Sequence, residues 1–301
     1  MAFSIHSLAR MFGLLVALAA GLASAPARPA ELTAVPGNGL QLAYDVYTGG
    51  VHVIVLDVGM SYGADDYKLT VAAETRGFMG WMFPWQSKIT SHGLLNATQA
   101  QPSLYRTDSL FRGSNRLVEI DYAKPGLKIR IEPPPDDDER DRVGEDMRRG
   151  TLDPLSGIFA AIRAIADGGG CDRTVPVFDG RRRYDFVVDR GSREKLAASS
   201  YSSFAGDALL CHFRMERRAG FWRQERAGEV RALENGLVWL APVAGGTLPV
   251  PVRVQAISPF GSAFMHLRDA QSLPPAAAAA IKAAVPIGSG IKPASPVGPN
   301  G

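Results

Sequence analysis

The feature that most constrains this chain is a series of short segments in which apolar and polar residues alternate. In residues 67–75, YKLTVAAET, one face carries Tyr67, Leu69, Val71 and Ala73, and the other carries Lys68, Thr70 and Glu74. A period of two predicts a strand of an antiparallel sheet with one buried face. Further segments of this kind occupy residues 40–47, 51–58, 116–122, 127–132, 209–217, 235–243, 251–257 and 261–267. The pattern predicts a mainly β protein built on a large curved antiparallel sheet or an open barrel.

Turn residues separate several of these segments. Thr48-Gly49-Gly50 lies between the first two strands, and Asp179-Gly180 lies between two β-type runs in residues 173–188. An Asp-Gly pair in this position is a strong hairpin signal, and a two-residue turn there would pair Phe178 with Arg181. Pro176 has no N–H to donate, so its strand is expected at an edge or a bulge.

One segment has the period of a helix instead. Asp153 can cap a helix, and Pro154 suits the first helical position. The apolar residues that follow, among them Ile158, Phe159 and Ile162, recur at helical spacing, whereas Ser156 falls away from that stripe. Gly168-Gly169-Gly170 are expected to end the helix. Because one apolar face must be covered, we expect this amphipathic helix to pack against the concave face of the sheet.

The N-terminus has the features of an export signal. Residues 1–27 contain a weakly basic start, the apolar run MFGLLVALAA and a small-residue site at Ala25-Pro26-Ala27. The apolar run is short for a transmembrane span, although an uncleaved anchor is the alternative. We therefore predict a cleavable signal peptide and a periplasmic protein without a stable transmembrane anchor.

The rest of the chain divides by composition. Residues 38–267 hold the predicted strands and form one expected β-rich domain. Within them, residues 133–149 combine three prolines with dense charge and predict a solvated loop, although Asp136-Asp137-Asp138 leaves a calcium site as an alternative. Residues 268–301 are rich in Ala, Pro and Gly and predict a disordered or weakly helical tail.

The chain contains two cysteines, Cys171 and Cys211. An even number in an exported protein is most simply explained by one disulfide. The alternatives are a metal site or a reactive thiol, but the two residues lack the spacing of a zinc site.

Several stretches together resemble a family of exported bacterial proteins, domain of unknown function 3108. They are YDVYTGGVHV, ETRGFMGWMFPWQSKITSHG, GTLDPLS, CDRTVPVFDGRRRYD and CHFRMERRAGF, in this order. The resemblance covers roughly residues 40–267. It implies an envelope protein with a mostly antiparallel sheet, and it implies no reaction. An open barrel around a helix is similar in outline to lipoprotein carriers, which is an analogy of fold alone.

Two groups of apolar residues are candidates for ligand binding. The segment GFMGWMFPWQ, residues 77–86, contains Phe78, Trp81, Phe83 and Trp85. Such density can line an apolar cavity, contact a membrane surface or simply pack in the core. The second group is the apolar stripe of the helix, represented by Ile158, Phe159 and Ile162.

A cluster of arginines is a weaker candidate. Arg181 and Arg183 would share one face of their strand, and the guanidinium fork suits a phosphate or carboxylate of an envelope component. The alternative is a solvated strand in which Asp185 neutralises Arg183.

Other classes of function find little support in the sequence. The excess of three positive charges, 33 basic against 30 acidic residues, does not indicate nucleic-acid binding. The histidines lack metal-ligand spacing, and no catalytic or cofactor-binding motif occurs, so we assign no catalytic residue, metal or cofactor. Asp153 and Asp179 have sufficient roles as a cap and a turn residue.

Three hypotheses for the function follow, in order of preference. The first is a non-enzymatic periplasmic protein that binds an apolar or amphipathic envelope molecule such as a lipid. The second is an envelope scaffold or partner-binding protein, and the third is a hydrolase of envelope polymers. The oligomeric state is left open by the sequence.

Overall fold

The structure, a computed structural model, describes most of the predicted β-rich region. The described residues are 38–96, 99–123, 126–134, 142–222, 235–258 and 261–273. The predicted signal peptide, the acidic run for which calcium was an alternative, and residues 274–301 of the predicted tail lie outside the described residues. Residues 268–273, predicted as the start of that tail, belong instead to the strand Gly261–Leu273.

The strands of the described residues form one antiparallel sheet of 13 strands, which confirms the predicted fold class. Their bounds are β1 Asn38–Thr48, β2 Val51–Tyr62, β3 Asp66–Thr75, β4 Trp85–Leu95, β5 Ala100–Phe111, β6 Ser114–Asp121, β7 Lys128–Glu132, β8 Arg173–Phe178, β9 Arg183–Leu196, β10 Gly206–Ala219, β11 Asn235–Ala241, β12 Val250–Ser258 and β13 Gly261–Leu273. The order across the sheet is β7-β6-β5-β4-β3-β2-β1-β13-β12-β11-β10-β9-β8. Neighbouring strands are consecutive in sequence except β1 and β13, so the sheet is a meander joined at its first and last strands. Its edges are β7 and β8.

Short helices connect or line these strands. In the described residues they are α1 Gly77–Met82, α2 Glu145–Arg148 and α3 Pro154–Ala164, followed by a π-helical turn, Ile165–Gly169. The predicted amphipathic helix is α3 together with this turn. Gly168 has a φ of 86°, a conformation that favours glycine, and the chain leaves the helix there as the glycine run predicts.

The sheet curls around α3 without closing. The turn between β8 and β9 lies against β6, because a Cβ placed on Gly180 would come within 2.5 Å of Val118 Cγ1. Hydrogen bonds join the start of α3 to both β3 and β4. The helix therefore lies on the concave side of the sheet, which is its predicted position, and opposite edges of the sheet approach each other around it.

Two interior strands of the sheet, β4 and β5, were not predicted from the sequence. The inward positions of β4 include Ser87 and Ser91, both fully buried, and the buried Gly93. These small side chains leave room for the close approach of α3, but they remove the apolar alternation that marks the other strands. A strand whose buried face carries serine and glycine reads as a polar loop in the sequence.

The hairpins show one agreement and one difference. Thr48 pairs with Val51, and Gly49 and Gly50 have φ of 56° and 80°, as a tight glycine turn requires. The register of the β8–β9 hairpin differs from the prediction, since Phe178 pairs with Arg183 and not with Arg181.

The Asp179 side chain is the reason for this register. Its carboxylate accepts hydrogen bonds from the backbone N–H of Arg181 and Arg182 and from the Arg182 guanidinium. Asp179 N–H also donates to the carbonyl of Arg182, so the turn is centred on Gly180-Arg181, one residue later than predicted. Pro176 lies on β8, an edge strand, as its missing N–H predicted.

The segment predicted as a solvated loop, residues 133–149, is partly packed where the structure describes it. Val143 is buried, and the Arg148 guanidinium lies 5.6 Å from the centroid of the Phe178 ring and donates to the Val143 carbonyl. The charged composition concealed these contacts, because the apolar stem and planar head of arginine can cover a buried ring.

Candidate functional site: an apolar cavity beside a buried helix

The first turn of α3 is fixed by its capping residue. Asp153 is extended, with φ of −72° and ψ of 165°, and its Oδ1 accepts hydrogen bonds from Leu155 N and Ser156 N, both at 3.0 Å. Pro154 follows at the first helical position, where no N–H is required. The sequence therefore places the start of α3 exactly where its cap and its proline predict it.

Ser156 lies away from the apolar stripe of α3, as its position in the helical repeat predicts, but it is not exposed to solvent. Its side chain is fully buried, and so are those of Asp153 and Ser91. Ser156 Oγ lies 2.6 Å from Tyr67 Oη and 2.8 Å from Ser91 Oγ. The polar side of α3 is thus covered by β3 and β4, because the curled sheet surrounds the helix on more than one side.

A buried carboxyl group lies at the centre of this network. Asp153 Oδ2 accepts hydrogen bonds from Ser156 Oγ at 2.6 Å and from Ser91 Oγ at 2.8 Å. Burial raises the pKa of Asp153, and the hydrogen bonds from the two serines and the helix N–H groups offset part of that rise. Burial likewise raises the pKa of Tyr67, and the nearby Asp153 carboxyl adds to this rise.

The number of hydrogens available for the hydrogen bonds of this network agrees with a raised pKa for Asp153. The three hydroxyl groups of Tyr67, Ser91 and Ser156 supply three hydrogens for the four side-chain contacts among these residues and Asp153. In the protonated form, the hydrogen on Asp153 Oδ2 supplies the fourth, because Oδ2 then donates to one serine and that serine donates to the other. The network has the character of a structural anchor for α3, since every polar atom in it is engaged by another.

An apolar cavity lies on the other side of α3. Its volume is about 140 Å³. It is bounded by apolar residues of the helix and by apolar side chains of β1, β2, β3 and β9 to β13. The sheet residues include Leu42, Tyr44, Val188, Val238 and Met265. The arrangement can hold an apolar group without a penalty for desolvating polar atoms.

The structure separates the two groups of predicted ligand-binding residues. Ile158, Phe159 and Ile162 line the cavity. Phe159 is 1% exposed and also packs against the rings of Tyr62 and Tyr67, with centroids 5.7 Å and 5.2 Å away.

The aromatic group lies elsewhere. Phe78, Trp81, Phe83 and Trp85 do not contribute to the walls of this cavity. Trp85 begins β4 and is buried, and its backbone N–H donates to Thr75 Oγ1. Phe78 and Trp81 lie on α1 and are 60% and 78% exposed, so they are neither cavity residues nor core residues.

The predicted anion-binding arginines have partners within the chain. The Arg183 guanidinium forms an ion pair with Asp185 at 2.5 Å and donates to the Met147 carbonyl. Arg181 donates to the Pro133 carbonyl at 3.4 Å. Because the two side chains have different partners, they do not form a clamp for one anion.

The predicted disulfide is present. Cys171 and Cys211 are bonded, with 5.7 Å between their Cα atoms, and both are buried. Cys171 follows the π-helical turn at the end of α3, and Cys211 lies on β10. The bond therefore holds the C-terminal end of the α3 segment against the sheet, at the opposite end from the Asp153 network.

Some of these residues could not be found from the sequence. Tyr67 contacts Ser156 across 89 positions and Ser91 contacts Asp153 across 62, which local patterns do not reveal. The apolar wall of the cavity could be predicted in outline from the sequence, because alternation marks the inward face of most strands.

Two further searches of the described residues found no site. They contain no group of three or more His, Cys, Asp or Glu side chains arranged to hold a metal ion. Among the helices described, none is long and apolar enough to cross a membrane.

The fold and the cavity define a class of protein: an open, curled antiparallel sheet that encloses a capped helix beside an apolar cavity. Residues 43–268 match the family described as protein of unknown function (DUF3108), and the chain belongs to this family. The resemblance noted in the sequence is thereby confirmed, and the family itself assigns no function.

The chain was also compared with curated proteins and with solved structures. No curated protein matches the chain. A solved structure that is similar is the crystal structure of a beta-barrel-like protein of domain of unknown function DUF1849 from Brucella abortus. It has 8% sequence identity and a TM-score of 0.45, and the match covers 78% of this chain and 98% of that one.

Proposed function

We propose that this protein is a non-enzymatic periplasmic protein that binds the apolar part of an envelope molecule between α3 and the sheet. The observation that supports this proposal is the apolar cavity beside α3, whose wall is formed by both the helix and the concave face of the sheet. Well-packed interiors contain few voids larger than a water molecule, so a void of this kind indicates space for a ligand.

The size of the cavity limits the ligand. At about 140 Å³ it is close to an engineered apolar cavity of roughly 150 Å³ that binds benzene. Pockets for larger ligands usually measure about 300–1,000 Å³. The cavity therefore suits one ring or a short stretch of acyl chain, and a whole lipid chain would require α3 to move away from the sheet.

The proposed compartment rests on two features. The disulfide between Cys171 and Cys211 is typical of an oxidising environment, and residues 1–27 have the pattern of a signal peptide. An apolar or amphipathic ligand in the periplasm would come from the membranes or their lipoproteins.

Extraction of the purified protein tests the proposal. Protein from a periplasmic extract of cells that express the complete chain is treated with organic solvent, and the extract is analysed by mass spectrometry. We expect a co-purifying lipid or other apolar molecule in stoichiometric amount. As a second measurement, binding of dodecanoic acid is followed by calorimetry.

Two variants at one position sharpen this test. Ile158 is half-buried and lines the cavity, so Ile158→Trp is expected to fill it and to weaken dodecanoic acid binding by about tenfold or more. Ile158→Leu conserves the volume and serves as the control. Equal binding by wild type and Ile158→Trp, with no lipid in the extract, would remove the cavity as a binding site.

The two other hypotheses differ in their support. The exposed side chains of Phe78 and Trp81 favour an interaction surface at α1. Asp153 and Asp179 do not support the hydrolase hypothesis, because Asp153 caps α3 in the interior and Asp179 holds the β8–β9 turn.

A further inference from the structure

An exposed apolar surface lies at one end of the sheet, around α1. This helix joins the end of β3 to the start of β4 and is attached to β2, since Arg76 N–H donates to the Val53 carbonyl. None of the residues of α1 is buried. The nearby turn between β1 and β2 ends at Val51, which is 53% exposed.

The exposed side chains of this end are large and apolar. Phe78 is 60% exposed, Trp81 is 78% exposed and Met82 is 38% exposed. The rings of Phe78 and Trp81 lie together, with centroids 5.7 Å apart. Together with Val51 we call these residues the α1 patch. Grouped aromatic side chains on a surface indicate an interaction site, whereas single exposed apolar residues do not.

Two arginines border the α1 patch. Arg76 immediately precedes α1, is about half exposed and forms an ion pair with the buried Glu74. Arg112 is exposed at the β5–β6 turn, donates to the Met82 carbonyl at 3.4 Å and lies 5.0 Å from the centroid of the Phe83 ring. The border therefore carries two guanidinium groups beside the aromatic centre, and the charge of one of them, Arg76, is balanced by Glu74.

We propose that the α1 patch docks on the surface of a lipid bilayer that contains anionic lipids. Tryptophan and phenylalanine lie well at the boundary between headgroups and acyl chains, and arginine interacts with headgroup phosphates. The combination of an aromatic centre with a basic border complements such a surface in both polarity and charge.

The size of the patch favours a bilayer over a second protein chain. The exposed parts of its four side chains amount to an area on the order of 400 Å². A stable protein interface buries about 800 Å² on each partner. Insertion into a bilayer has no such minimum, because each aromatic side chain gains free energy separately when it leaves water.

The docking surface and the proposed ligand cavity are independent. Phe78, Trp81 and Met82 do not line the cavity, so a variant of the patch leaves the cavity wall intact. Failure of one proposal is thus distinguishable from failure of the other.

Vesicle sedimentation tests the docking surface. Protein from the periplasmic extract of cells expressing the complete chain is mixed with vesicles of phosphatidylcholine, either alone or with 30% phosphatidylglycerol. We expect binding to the anionic vesicles and a blue shift of the Trp fluorescence. In Phe78→Ser/Trp81→Ser we expect the partition coefficient to fall by about tenfold or more.

Matched variants separate the contributions. Leu94 is 57% exposed, which is similar to the exposure of Phe78. It lies at the far end of β4, roughly 30 Å from the start of that strand at about 3.3 Å per residue. Leu94→Ser should therefore bind vesicles like wild type, whereas Phe78→Ser should not.

Arg112→Gln should reduce binding to anionic vesicles toward the level measured with phosphatidylcholine alone. In Trp81→Phe, most of the binding should be retained and the fluorescence shift should disappear.

Other results would overturn the proposal. Equal vesicle binding by wild type and Phe78→Ser/Trp81→Ser would show that another segment contacts lipid. No binding to either vesicle would exclude a bilayer. A wild-type dimer in size-exclusion chromatography that becomes a monomer in the double variant would assign the patch to a second copy of the chain.

Discussion

The helices α3 and α1 are both short and rich in apolar residues, but α3 is enclosed by the sheet and α1 is exposed. α3 has a side-chain cap, a buried polar network, a disulfide at its far end and Phe159 at 1% exposure. α1 has no side-chain cap at Arg76 and no buried residue, and its Trp81 is 78% exposed. Apolar character alone therefore does not decide burial. The helix that is anchored at both ends supports the fold, whereas the exposed helix is available to a partner.

Alanine substitutions give the largest contrast between the two helices. Phe159→Ala should lower the free energy of unfolding by about 3–5 kcal/mol, because the space left by a buried ring is only partly refilled. Trp81→Ala should change it by less than about 0.5 kcal/mol, because the indole is mostly in water. Urea unfolding followed by circular dichroism measures both values. Similar losses in the two variants would show that α1 is part of the core.

Removal of the disulfide should have the next largest effect. The Cys171–Cys211 bond closes a loop with a sequence separation of 40 residues, so Cys171→Ala/Cys211→Ala should cost about 3–4 kcal/mol in the chain-entropy model. Urea unfolding of this variant, compared with wild type with and without reductant, provides the measurement. Hydrogen exchange should accelerate in α3 and stay unchanged in α1. Faster exchange in α1 as well would contradict the separate anchoring of the two helices.

The smallest effect is a pH dependence of the enclosed helix. Burial raises the pKa of Asp153 in the folded protein above its ordinary value of 3.8. The stability contributed by the neutral carboxyl is complete below pH 3.8 and is lost as the pH rises through the folded pKa. The free energy of unfolding of wild type relative to Asp153→Asn should therefore fall as the pH rises from about 4, by about 1.4 kcal/mol for each unit between the two pKa values.

Asp185 provides a control of opposite sign for this titration. Burial alone would raise its pKa, but hydrogen bonds from Arg183 and Arg218 lower the pKa below 3.8. The free energy of unfolding of wild type relative to Asp185→Asn should rise with pH below 3.8 and stay level above it. Urea unfolding at a series of pH values measures both differences. A flat profile of wild type relative to Asp153→Asn would show that the pKa of Asp153 is the same in the folded and the unfolded protein.

Local patterns were sufficient for much of the fold. Asp153, Pro154 and the glycine run marked the ends of the α3 segment, and alternation marked most strands. The patterns failed in β4, where Ser87 and Ser91 replace apolar residues on the buried face. They also failed at Asp179, whose side-chain hydrogen bonds shift the turn by one residue. In β4 a contact with residues distant in sequence determined the result, whereas at Asp179 local side-chain hydrogen bonds did.

The candidate site was predicted only in part. The stripe of Ile158, Phe159 and Ile162 identified one wall of the cavity from helical spacing. The aromatic residues Phe78 and Trp81 were grouped with that stripe as candidates for the same ligand, although the structure places them on another surface. Composition shows that a segment is apolar, but it does not show whether the segment faces a cavity or solvent.

The sequence by itself determined most of the strands, most turns, the helix with its cap and, since it contains only two cysteines, the pairing of the disulfide. These features depend on residues within a few positions of each other or on a simple count. Only the tertiary structure decided how far the sheet curls, which strands cover the polar side of α3, where the cavity lies and that α1 remains exposed. The physical reason is that burial depends on neighbours distant in sequence, such as Ser91 and Asp153, which meet across 62 positions.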